Sequence, residues 1–117
     1  MMKLSNLSSD SEFKKLIKSK KINNEYFTIY FGKIYSEAKK KFKVSIITKK
    51  KIGNAVKRNK IKRKLKSAIR KNLNINRNKN YNYGYLVIAK SKIYKEKFSI
   101  LFTEINKTFN KIEKTIN

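Results

Sequence analysis

The sequence predicts a small α+β sandwich, one domain over residues 1–117, with elements in the order α-β-β-α-β-α. Three observations predict it. Tyr26 to Phe31, Phe42 to Thr48 and Tyr85 to Ala89 are rich in β-branched and aromatic residues, and glycine or polar runs flank them. Three other segments carry apolar residues at helical spacing. The chain of 117 residues suffices for one modest core and shows no internal repeat, no long linker and no proline.

Ser8-Ser9-Asp10-Ser11-Glu12 is a capped helix start, and Phe13, Leu16 and Ile17 follow at i, i+3 and i+4. This helix is expected to end near Lys20, with Lys21 to Glu25 as loop. Tyr26-Phe27-Thr28-Ile29-Tyr30-Phe31 is the first strand, stopped by Gly32. Lys33 to Lys41 leads to an alternating second strand, Phe42-Lys43-Val44-Ser45-Ile46-Ile47-Thr48, and the two strands are expected to form an antiparallel hairpin with a long loop. Lys49 to Gly53 is a turn, after which Asn54 can cap a helix from about Ala55 to Asn72. Asn72 to Asn82 is an Asn-rich loop. Tyr85 to Ala89 is apolar throughout, as a strand covered on both faces would be. From about Lys92, Phe98, Leu101, Phe102, Ile105, Phe109 and Ile112 recur at helical spacing and predict a long helix packed on the sheet. Residues 1–7 and 113–117 are expected to fray.

Charge narrows the function. The 32 Lys and Arg outnumber seven Asp and Glu, for a net charge of +25 that repels itself unless it faces a polyanion. Nucleic acid is the first candidate and an anionic membrane surface the second. The longest apolar run, Tyr85 to Ala89, is far short of the ~20 residues of a spanning helix. No apolar signal core follows the N-terminus. There is no cysteine for a disulfide or a thiolate zinc site, and no histidine. The acids (Asp10, Glu12, Glu25, Glu37, Glu96, Glu104 and Glu113) are scattered along the chain. No general base, nucleophile or metal-binding carboxylate cluster assembles in sequence, so no catalytic side chain and no metal ligand is expected of the protein.

Positive charge concentrates in residues 49–72, where 12 of 24 residues are Lys or Arg and none is acidic. Within this run Ile61, Leu65, Ala68 and Ile69 fall at i, i+4, i+7 and i+8 and form one stripe for the core. At about 100° per residue, Arg58, Asn59, Lys62, Arg63, Lys66 and Arg70 share a neighbouring arc, and Lys57, Lys60, Lys64 and Lys71 line the other flank. Solvated faces normally mix both signs, because like charges at i, i+4 destabilise a helix. Arg58, Lys62, Lys66 and Arg70 form an unbroken like-charge row, which favours a polyanion-binding face. The stripe lacks the large anchors of a membrane-surface helix. Asn59, an amide among cations, can read a base edge or a 2′-hydroxyl, or brace a neighbouring backbone.

These residues carry a resemblance. Lys50-Lys51-Ile52-Gly53-Asn54-Ala55-Val56, then after one residue Arg58-Asn59-Lys60-Ile61-Lys62-Arg63, resembles the signature of the bacterial ribonuclease P protein component, an "RNR" helix entered through a K-K-x-G-x-A-V turn. Ser11-Glu12-Phe13-Lys14-Lys15 is similar to that family's first helix, Phe27-Thr28-Ile29-Tyr30 to its first strand, and Tyr85-Leu86-Val87-Ile88-Ala89-Lys90 to a later one. The resemblance covers about residues 4 to 112 in order.

The resemblance implies a ribosomal protein S5 domain 2-like sandwich with a left-handed β-α-β crossover, against the usual right-handed rule. It implies a partnership with a catalytic RNA that removes the 5′ leader of precursor tRNA, using Mg²⁺ held by the RNA. The protein alone is then expected to be a cytoplasmic monomer, with neither membrane nor DNA as partner. Carried over by position, Lys50, Lys51, Asn54, Arg58, Asn59, Lys60, Lys62, Arg63, Lys66 and Arg70 contact the catalytic RNA. Phe13, Ile17, Tyr30, Lys49, Lys51 and Lys90 face the leader. Lys60 stands at the second Arg of the signature and Lys66 where many members have Arg; Lys keeps the charge but lacks the planar fork. Ile17 stands where a second Phe is frequent, and Ile47 and Lys49 replace small polar residues. Phe13 and Tyr30 either stack on unpaired nucleotides or pack as core aromatics. If Tyr30 faces the leader, alternation puts Tyr26 and Thr28 beside it and sends Phe27, Ile29 and Phe31 to the core. The alternative is a basic ribosomal-type RNA-binding protein with no enzymatic partner.

Overall fold

The computed structural model describes residues 3–5, 17, 20–33, 41–75 and 83–116. In chain order these form β1 (Lys3–Ser5), β2 (Lys20–Asn23), β3 (Phe27–Lys33), β4 (Lys41–Ile47), a 3-10 turn (Lys50–Ile52), α1 (Ala55–Ile75), β5 (Tyr83–Ala89), a second 3-10 turn (Ser91–Lys95) and α2 (Phe98–Ile116). The expected first helix lies outside the described residues except for Ile17, which is helical, and Lys20, which is the first residue of β2. The strands make one mixed sheet in the order β1-β4-β5-β3-β2. The α+β class predicted above is observed.

The expected hairpin of the 26–31 and 42–48 segments is not. β5 lies between β3 and β4, antiparallel to β3 and parallel to β4. Its composition explains the placement. A strand with apolar residues on both faces is most stable where neighbours cover both, and that is the centre of the sheet. Leu86 and Val87, which point to opposite faces, are 1% and 0% exposed. The parallel pairing makes β4-α1-β5 a crossover unit, with the basic helix as its connection.

Two strands went unpredicted. β1 comes from the segment expected to fray and pairs parallel with β4. β2 replaces the end of the first helix and the expected loop: Lys20 to Asn23 pairs antiparallel with Phe31 to Thr28. Asn24 closes this hairpin, its Oδ1 accepting from the backbone N–H of Tyr26 at 2.8 Å and of Phe27 at 3.0 Å. Lys-Lys-Ile-Asn has one apolar residue and no readable alternation, a composition suited to a sheet edge.

One sheet face carries the core. Phe27, Ile29 and Phe31 of β3, Tyr85, Val87 and Ala89 of β5 and Val44 of β4 pack against Ile61, Leu65, Ala68, Ile69 and Leu73 of α1 and Leu101, Ile105, Phe109 and Ile112 of α2. Tyr85 meets Phe109 edge-on, centroids 5.6 Å apart. The helical stripe read from the sequence is therefore the buried one. α1 continues past Asn72 to Ile75, so the first residues of the expected loop are helical, and Asn72 is buried with its amide donating to Asn106 Oδ1 at 2.5 Å. After β5 the chain makes a 3-10 turn that drives Ile93 into the core, and α2 begins only at Phe98. Phe98 is 36% exposed and not a core residue. α2 runs to Ile116, through most of the terminal segment expected to fray.

Candidate nucleic-acid interface

The second sheet face is where β3 alternation sends Thr28 and Tyr30. Strand register sets two rows across it: Lys21, Tyr30, Leu86 and Ser45, then Asn23, Thr28, Ile88 and Ile47. Tyr30 is half-buried. Tyr26 departs from the alternation. It precedes β3, is 5% exposed and belongs to the core cluster.

At one end of these rows lies a cleft of about 650 Å³, within the range of small-ligand sites. Its walls are Lys21, Asn23, Thr28, Tyr30 and Ile88 from the sheet, Ala89, Lys90 and Ser91 from the end of β5, and Lys49, Lys51, Ile52 and Lys57 from the turn into α1. Among the described residues, five lysines and no acid line it. Lys90 Nζ donates to Asn23 Oδ1 at 2.6 Å and to the Asn24 carbonyl at 2.5 Å. An ammonium has three donors, so one remains. The Thr28 hydroxyl also donates to Asn23 Oδ1, at 2.6 Å, which turns the Asn23 amide nitrogen away from both contacts. Lys21 Nζ sits 5.9 Å from the centre of the Tyr30 ring. The cleft thus offers cations, hydrogen-bond donors and an aromatic face, the chemistry of a site for unpaired nucleotides.

Tyr30, Lys49, Lys51 and Lys90, four of the six residues expected on the leader side, line this cleft. Ile17 is 54% exposed and does not line it. Phe13 lies outside the described residues. Lys21, Asn23, Ile88 and Lys57 were not anticipated. The first two belong to β2, whose strand character has no local signal, and Lys57 reaches the cleft because the turn folds the start of α1 over it.

That turn depends on Gly53, whose φ of 154° side chains rarely adopt. Asn54 caps α1, its Oδ1 accepting from the Lys57 N–H at 2.9 Å. This local contact is its role in the protein alone. Beyond it, Asn59, Lys62, Arg63, Lys66 and Arg70 are all exposed, as the arc predicts, and Arg58 is half-buried. Lys50 is exposed in the 3-10 turn.

The opposite flank of α1 behaves differently. Lys57 and Lys60 both sit over the Tyr94 ring, at 5.0 and 4.9 Å. Lys64 Nζ donates to the carbonyls of Ile93, at 2.9 Å, and of Glu96. Lys71 lies over the Phe102 ring at 4.5 Å and the Phe98 ring at 5.8 Å. All four flank lysines therefore hold the segment from Ile93 to Phe102 against α1, using rings and carbonyls in place of carboxylates. Lys60, expected at the RNA interface, contributes to this seam while staying exposed.

A polar knot anchors the same segment to β3. The Tyr26 hydroxyl donates to Glu96 Oε2 at 2.9 Å, Lys92 lies over the Tyr26 ring at 5.3 Å, and Lys92 pairs with Glu25. The Lys97 N–H and the Tyr26 hydroxyl hold the Glu96 carboxyl below the usual carboxylate range. The hydrogen bond to Glu96, aided by burial, pushes the Tyr26 phenol up.

A family model described as Ribonuclease P matches residues 1–113. The chain belongs to the ribonuclease P protein family.

Its relatives agree. The ribonuclease P protein component of Mycoplasma mycoides is 32% identical over 103 residues, covering 87% of this chain and 90% of that protein. That of Streptococcus agalactiae is 37% identical over 70 residues, 59% of this chain. The chain spans 62% of the length of those Streptococcus relatives. The structure of the Staphylococcus aureus RNase P protein aligns over 96% of this chain and 97% of that one, with 27% identity and a TM-score of 0.68. The Thermotoga maritima RNase P protein, 24% identical over 86% of this chain and 91% of that one, has a TM-score of 0.68 and shares the fold. The turn and basic helix on which the resemblance rests are a 3-10 turn, Lys50–Ile52, and the helix Ala55–Ile75 of the fold.

Proposed function

We propose that this chain is the protein subunit of a ribonuclease P, binding a catalytic RNA through the α1 arc and its entry turn, and the single-stranded 5′ leader of precursor tRNA in the sheet-face cleft. The observation that carries the reading is the cleft itself. Tyr30 and the lysines at 49, 51 and 90 come from three separate segments, yet they line one concavity with no acid among its described residues. A generic basic RNA-binding protein has no need of such a cleft beside a separate cationic helix.

The residues divide the work. Arg58, Asn59, Lys62, Arg63, Lys66 and Arg70 neutralise phosphates of the catalytic RNA, with Lys50, Lys60 and Asn54 at the margin of that surface. Lys49, Lys51 and Lys90 hold leader phosphates while Tyr30 offers its ring to an unpaired base. No protein side chain is assigned to bond cleavage. Among the described residues, no group of three or more His, Cys, Asp or Glu could hold a metal ion. In this reading Mg²⁺ belongs with the RNA. Among the described residues no helix is long and apolar enough to cross a membrane. A cytoplasmic site of action is part of the proposal.

The test is reconstitution with the cognate catalytic RNA and a precursor tRNA at low Mg²⁺. The chain should stimulate leader removal; no stimulation would refute the reading. Arg58→Ala should weaken assembly with the catalytic RNA. Tyr30→Ala should instead weaken binding of leader-bearing precursor and spare mature tRNA.

A further inference from the structure

The start of α2 carries an aromatic pair that neither the cleft nor the α1 arc uses. The rings of Phe98 and Phe102 are within 4° of parallel, with centroids 6.3 Å apart. Phe98 is 36% exposed, whereas Leu101 and Ile105 on the buried stripe are fully enclosed. Lys71 Nζ lies over both rings. The pair follows the helix groove: one turn on from Phe102, Asn106 accepts from Asn72 of α1.

We infer that Phe98 and Phe102 form a stacking platform for an unpaired nucleotide of an RNA chain, with Lys71 moving from the rings to that nucleotide's phosphate. Three observations favour this occupant. The first is shape: Phe98 and Phe102 are already stacked parallel to one another, and every base has a π face that can extend such a stack. The second is charge. Lys71 covers the rings, and Lys95 and Lys97 just before Phe98 are exposed. The acid between them, Glu96, is engaged by the Tyr26 hydroxyl and the Lys97 N–H. The third is extent. Ile100 is 41% exposed, but at about 100° per residue it lies some 200° around the helix from both rings. Among the described residues the patch is the two rings with, at most, the exposed Ile75 one turn beyond Lys71 on α1, too small for a protein partner's hydrophobic face.

The exchange is favourable because stacking of a base on an aromatic ring is stronger than an exposed cation–π contact. The displaced ammonium regains an anion in the phosphate. The platform shares no residue with the cleft or the arc, so it stands or falls separately from the proposed role in ribonuclease P.

The chain has no tryptophan, so Phe98→Trp installs a single indole reporter. The full chain, with Tyr30→Ala added to remove the ring in the cleft, is titrated with a 12-nucleotide oligoadenylate and with a 12-base-pair RNA duplex. Quenching of the indole fluorescence by the single strand and not by the duplex is expected. The double variant Phe98→Leu, Phe102→Leu, also carrying Tyr30→Ala, should lose about tenfold in oligoadenylate affinity, with an unchanged circular dichroism spectrum. Absence of quenching, or equal quenching by both RNAs, overturns the platform. So does a blue shift of the indole emission with phosphatidylglycerol vesicles but no response to oligoadenylate, the signature of a lipid surface.

Discussion

The Tyr26 hydroxyl donates to Glu96 Oε2 at 2.9 Å, joining residues 70 positions apart. The bond ties the entry of β3 to the turn after β5, on whose ends the cleft is built. Its pH dependence has a definite sign. Glu96 titrates below its ordinary 4.5 in the folded protein, so its contribution is complete above that value and is lost as pH falls through the lowered one. Tyr26 titrates above its ordinary 10.0, so its contribution is complete below that value and is lost as pH rises through the raised one. Thermal unfolding followed from pH 3 to pH 11 should show Tyr26→Phe with a lower midpoint between these limits and a shallower fall at both ends. A parallel displacement of the whole curve would count against the pairing.

Lys64 and Lys66 look alike in sequence and differ in the fold. Lys64→Met keeps the aliphatic stem but takes the ammonium donor from the Glu96 carbonyl and leaves the Ile93 carbonyl with the Glu96 N–H alone. Loss of about 1–3 kcal/mol of stability is expected, with binding to RNA changed little. Lys66→Met should do the reverse: stability within about 0.5 kcal/mol of the parent and weaker RNA affinity. Urea unfolding and filter binding on the two variants separate the roles.

Gly53→Ala tests the entry turn. An added Cβ would lie 2.8 Å from Lys57 Cδ, a methylene on a flexible side chain that can move aside. The backbone at φ 154° has no such relief, and a cost of about 1–3 kcal/mol is expected. Because Lys57 lines the cleft, leader binding should also weaken, by more than in a destabilised core variant such as Ile69→Val assayed at the same fraction folded.

Lys90→Met should lower the slope of log affinity against log salt by about 0.7 for leader-bearing precursor tRNA, and leave the slope for mature tRNA unchanged. Equal slopes for this variant and the parent on the precursor would mean that the remaining donor of Lys90 reaches no phosphate.

What was legible in the sequence was local. The core stripe of α1, the Asn54 cap and the placement of Phe27, Ile29 and Phe31 against Thr28 and Tyr30 follow from periodicity within one element, and the structure places them so. Local signals also misled where packing decides. Tyr26 fits the alternation of β3, yet its position before the strand and its bond to Glu96 put it in the core. Phe98 fits the stripe of α2 and lies outside it.

The sequence by itself determined a strongly basic α+β domain with its basic face on the α1 helix, because net charge and side-chain period belong to the chain whatever its partners. Only the tertiary structure decided that β5 separates β3 from β4, that Lys-Lys-Ile-Asn is a strand, and that the lysines at 57, 60, 64 and 71 form a seam between α1 and the segment from Ile93 to Phe102. Each is a pairing between residues far apart in sequence. A lysine over a tyrosine ring and a lysine in water have the same local neighbours in sequence, and only the approach of the second segment distinguishes them.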